Sequence, residues 1–93
     1  MLTHVVLMKF VDPADAPKAK ELLEGLVGVV AQVRSMQVGL DTVHSAVSAD
    51  LCMITTHEDH DDLVGYQSHE AHLEVGGWLR PRLASRVVVD FPA

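Results

Sequence analysis

Ninety-three residues, 48% of them hydrophobic and 22% charged, describe one small globular domain, residues 1–93, in which a large ligand cavity would compete with the core for space. Thirteen acids against seven bases give a formal charge of -6, and the few Lys and Arg are scattered. This excludes the basic stripe of a nucleic-acid binder or of a protein held to an anionic membrane.

The opening "MLTHVVLMKF" is apolar but carries Lys9, has no basic leader and is far shorter than the ~20 residues of a membrane span. It reads as the start of a strand, residues 2–11, in a cytoplasmic protein, and Asp12-Pro13 marks the turn that ends it. Residues 15–34, "DAPKAKELLEGLVGVVAQVR", have a capping Asp15, Pro17 in the first turn, and Leu22, Leu23, Leu26, Val27, Val30 and Val33 at helical spacing. The spacing predicts one long amphipathic helix, against which Gly25 and Gly28 each weigh roughly 1 kcal/mol relative to Ala.

A weaker strand follows at 36–43, then a loop, then a third strand at 50–57, "DLCMITTH". Cys52 within it closes no intrachain disulfide and reads as a small buried hydrophobe. A helix then starts at a capping Asp59, with Asp61 and Asp62 in its first turn, where the helix dipole favours negative charge. Tyr66 and His72 are six residues apart, a rotation of about 240° beyond a full turn, so they share a face only if the helix breaks between them. Ser68 is the predicted cap of a second helix, with Leu73, Val75, Trp78 and Leu79 turned inward and Pro81 near its end. Residues 85–91, "SRVVVDF", form the last strand.

The order β-α-β-β-α-α-β is that of a ferredoxin-like α+β unit, with helices on one face of a four-stranded antiparallel sheet. Both faces of the first strand are apolar, with Leu2, His4, Val6, Met8 and Phe10 on one side and Val5, Leu7 and Val11 on the other. Two or three short helices cover only one face. The other is therefore expected to meet a second copy, giving a homodimer built sheet against sheet.

"THVVLMKF", "YQSHEAHLEV" and "LRPRLASRVVVDF", in this order, resemble the stress-responsive A/B barrel (Dabb) family. The resemblance covers nearly the whole chain and implies a dimeric α/β barrel. It extends to the olivetolic acid cyclase type of polyketide cyclase at His4, Tyr66 and His72. For that cofactor-free aldol chemistry it implies His72 as the base, Tyr66 as the group that binds a carbonyl oxygen, and His4 as a polar partner.

Three functional readings remain open. One is a pocket between sheet and helices for a small hydrophobic or aromatic molecule, lined by His4, Val6, Met8, Phe10, Tyr66, His72 and Trp78. The others are the cyclase-like enzyme and a structural, stress-protective oligomer without a ligand. Histidine suits carbon deprotonation because its unperturbed pKa of about 6.5 lies near working pH. No metal site or cofactor is expected. His69 and His72 stand three apart, but no His-Glu-x-x-His word occurs, and the run "HEDHDD" reads as a solvated helix start. Arg80 and Arg82 are expected first of all in ion pairs with acids across the dimer, with a ligand carboxylate as the alternative partner. No phosphate loop or dinucleotide fingerprint occurs.

Overall fold

The computed structural model describes residues 1–92. Strand β1 (Leu2–Phe10) leads through a short 3-10 turn into helix α1 (Ala16–Glu24). Strands β2 (Ser35–Leu40) and β3 (Leu51–His57) follow, then α2 (His60–Ser68), α3 (Glu70–Leu79), a second 3-10 turn and β4 (Leu83–Pro92). The sheet order is β2-β3-β1-β4 and every pairing is antiparallel, which is the ferredoxin-like topology.

Register decides which side chains meet. In β3, Leu51, Met53, Thr55 and His57 are buried while Cys52, Ile54 and Thr56 are only half-buried, the two-residue period of a strand covered on one face. Val6 stands opposite Met53 and Val88, His4 opposite Thr55 and Asp90, and Met8 opposite Leu51 and Arg86. The helix-side core is closed by Ala16, Ala19 and Leu23 of α1, Leu63 and Tyr66 of α2, and Leu79 of α3. A fully buried Leu such as Leu23 contributes roughly 1.5–3 kcal/mol.

The opposite face of the sheet is open. Leu7, Val87, Val89 and Phe91 are 40%, 63%, 59% and 44% exposed, and Val5 stands between them, paired with Ile54 and Val89. Cys52, expected in the core, lies half-buried on this open face, opposite Leu7.

Three sequence expectations are corrected by tertiary packing. The long helix ends at Glu24, and residues 25–29 form turns in which Gly28 adopts φ 83°. Leu26 and Val30 are still buried, so their helical spacing served the core without a continuous helix. The cap of α3 is His69, not Ser68: its ring nitrogen Nδ1 accepts from Ala71 N at 3.0 Å, while the Ser68 hydroxyl donates back to Val64 O at 2.7 Å. Leu73, assigned inward, is 52% exposed.

Candidate functional site

The change of direction at His69 brings α3 back over the sheet, and with it His72. Four rings then line up through the helix-side core. His4 and His57 have centroids 6.2 Å apart, His57 and Tyr66 5.2 Å, and Tyr66 and His72 4.5 Å in an edge-on contact. The first three are fully buried and His72 half-buried.

Each ring is hydrogen-bonded, as burial of a polar group requires. His4 Nδ1 bonds the Asp90 carboxylate on the neighbouring strand β4. His57 Nδ1 donates to Gln32 O at 2.7 Å, which fixes its tautomer and leaves Nε2 to accept from the Thr55 hydroxyl at 2.8 Å. The Tyr66 hydroxyl points at Met53 Sδ, 3.8 Å away. His72 Nδ1 donates to Gln67 O at 3.1 Å, so in the neutral ring the lone pair is on Nε2.

Burial sets the proton affinities. Loss of water lowers the pKa of His57 and of His72; at His72 the Gln67 carbonyl opposes this, and the charges of Arg86 and Arg80 add to it. Both rings therefore favour the neutral form. The Tyr66 phenol, cut off from water, is pushed up to about 12 and stays protonated.

Beside His72 lies a cavity of about 300 Å³ between the sheet and the α2–α3 pair. Met8, Met53, Leu79 and Leu83 give it an apolar wall, and Gln67, His72, Arg80 and Arg86 supply its polar groups. A family model, the Stress Responsive A/B Barrel Domain, matches residues 2–93. The chain belongs to the Dabb family.

Solved structures agree on the fold. The chain superposes on a dimeric ferredoxin-like protein of unknown function from Thermobifida fusca with a TM-score of 0.86 and 23% identity, covering 99% of this chain and 90% of that one. A dimeric protein of the same fold from Bacteroides fragilis gives 0.87 and 24%, covering 99% and 95%. Hydroxynitrile lyase from Passiflora edulis gives 0.81 and 13%, covering 97% and 90%. No curated protein sequence matches.

In this Dabb domain the residues singled out in sequence are divided between three places. Met8 and His72 line the cavity. Val6 and Phe10 are packed in the core, and Tyr66 and His4 stand behind the lining, Tyr66 against His72 and His4 against Asp90. Trp78 faces a separate groove between α1 and α3, with Leu22, Leu26 and Val75.

His57 is the residue whose role the sequence concealed. Its place at the head of "HEDHDD" suggested solvent, but strand alternation continues through Thr55 to His57 and turns the ring inward. Gln67, Arg86 and Asp90 were also missed. The signal for the last two was there: Arg86, Val88 and Asp90 alternate on one face of β4. Within the single chain Arg80 and Arg82 pair with no carboxylate among the described residues, and pairs across a dimer would lie between two chains. Arg82 lies over the Trp78 ring, 4.3 Å from its centroid, and donates to Trp78 O at 2.7 Å. Nor do three His, Cys, Asp or Glu side chains converge to hold a metal ion among the described residues. No helix of the described residues is long and apolar enough to cross a membrane.

Proposed function

We propose that this Dabb domain binds a small, mainly apolar molecule in the cavity between the sheet and α2–α3, as a homodimer whose subunits meet through the open sheet face. The observation that carries the binding reading is the cavity itself. About 300 Å³ lined by Met8, Met53, Leu79 and Leu83 with a few convergent polar groups is the usual make-up of a small-molecule site, at the lower end of its size range. The dimer reading rests on the unpartnered apolar face of Val5, Leu7, Val87, Val89 and Phe91.

The binding reading is tested by filling the cavity. Gly76 lines it, and a Cβ there meets no atom nearer than Arg80 Nη1 at 3.6 Å, so Gly76→Leu places its side chain at the cavity beside Arg80. Aromatic and medium-chain aliphatic probes, 1-naphthoate, 1-naphthamide, octanoate and octanamide, are titrated by calorimetry into both proteins. At least one is expected to bind the wild type and to be lost in Gly76→Leu. If none binds, or binding survives the filled cavity, the reading fails.

A second reading has its own observation: His72, held by Gln67 O and kept neutral by burial, presents an unprotonated Nε2 beside Tyr66. That is the state of a general base for a carbon acid, as the cyclase-type resemblance implies. The Tyr66 hydroxyl is turned to Met53 and must swing away from it to reach a carbonyl oxygen. Deuterium exchange at the central carbon of pentane-2,4-dione, followed by NMR, should run faster than in buffer with the wild type and be lost in His72→Gln. Exchange no faster than in buffer would sink this reading.

A further inference from the structure

The distribution of charge around the cavity says more than its size. The chain has thirteen acidic residues and four arginines. Arg34 pairs with Asp62 and Glu58, and Arg82 stacks on Trp78. The other two, Arg80 and Arg86, have no carboxylate partner among the described residues, and both line the same cavity. None of the acids lines it. Arg80 reaches it from the end of α3, its Nη1 lying over Gly76, and Arg86 reaches it from β4, opposite Met8. Two unneutralised guanidiniums with the Gln67 amide at one cavity are a set of donors waiting for an acceptor of negative charge. The thioether and leucine wall suits an apolar body. Lys18 and Arg34 pair with carboxylates, whereas Arg80 and Arg86 meet none among the described residues and share one cavity.

We propose that the ligand of this cavity is an amphiphilic organic acid, its carboxylate held by Arg80 and Arg86 and its apolar body against Met8, Met53, Leu79 and Leu83. This rests on the binding reading above and narrows it to a substrate class. The same two positive charges also act on His72, where, after burial, they help to keep the ring neutral.

The test compares each acid with its neutral amide, 1-naphthoate with 1-naphthamide and octanoate with octanamide, by calorimetry on the whole chain. The acids are expected to bind about tenfold tighter or more, the scale of a charge-assisted pair at a partly enclosed site. Arg86→Gln and Arg80→Gln should each remove most of that advantage, so that acid and amide bind with nearly equal affinity. Both positions are solvent-exposed, so the variants are expected to fold, and circular dichroism checks this. Added salt should also shrink the difference between acid and amide. Equal binding of acid and amide, blocked by Gly76→Leu, would leave the cavity reading intact and overturn this one. So would an acid preference that survives both arginine variants. Absence of binding by all four probes would overturn both.

Discussion

The buried ring of His57 offers the sharpest test of how the core is held, and His57→Leu is the perturbation. Leucine is close in volume, so the change removes hydrogen bonds with little cavity. It leaves the Gln32 carbonyl without its 2.7 Å donor and the Thr55 hydroxyl without its 2.8 Å acceptor. An unsatisfied buried polar group costs about 1–3 kcal/mol, so the pair amounts to about 2–6 kcal/mol. In a domain of this length 1 kcal/mol corresponds to about 4–8 °C, which puts the drop in melting temperature at about 8 °C or more.

The same variant has a signature in pH. The folded pKa of His57 lies below that of the unfolded chain, chiefly because burial penalises the charged ring. As pH falls through about 6.5 the unfolded chain takes up the proton first, so stability is fully present above that value and declines below it. The decline continues until the folded ring is protonated as well. His72 is shifted the same way for the same leading cause and contributes with the same sign. Thermal melts at about pH 7.5 and about pH 5.5, at one protein concentration, should therefore show the wild type losing stability on acidification and His57→Leu losing less. A variant that melts within about 2 °C of the wild type at neutral pH, or keeps the full acid slope, would refute the assignment of His57 as a buried, neutral, doubly bonded ring.

Leu7→Lys combined with Val89→Lys places charge in the middle of the open sheet face and is expected to halve the mass seen by light scattering while leaving the circular dichroism spectrum intact. Gly28→Ala should lower stability by about 1–2 kcal/mol in urea unfolding, since φ 83° disfavours a Cβ although no atom lies within 4 Å of it. Asp59→Ala removes the side chain that accepts from Asp62 N at 2.9 Å at the start of α2; a loss of about 1 kcal/mol is expected, and Asp59→Asn should recover most of it.

Much of this protein was legible in the order of its residues. The strands at residues 2–11 and 50–57 were readable as apolar runs, and β1 (Leu2–Phe10) and β3 (Leu51–His57) fall within those bounds. The apolar second face of β1 and β4 likewise announced a surface in need of a partner. Asp59 could be named as a cap because capping depends only on the few residues beside it. The site was legible in part for the same reason. Their angular separation lets Tyr66 and His72 meet only across a helix break; the chain does break at His69 and the two rings meet, although only His72 reaches the cavity.

What local pattern could not decide was everything that depends on residues distant in the chain. His57 is buried because its ring is bonded by Gln32, 25 positions earlier, and lies between His4 and Tyr66. Trp78 left the expected pocket because α3 turns it toward α1, where Arg82 covers its ring. The pairing of Arg80 with Arg86 at one cavity exists only because β4 runs antiparallel to β1 beneath the end of α3. Hydrophobic periodicity and caps act over a few residues and are written locally. Charge convergence and cavity shape arise from which elements the folded sheet brings side by side.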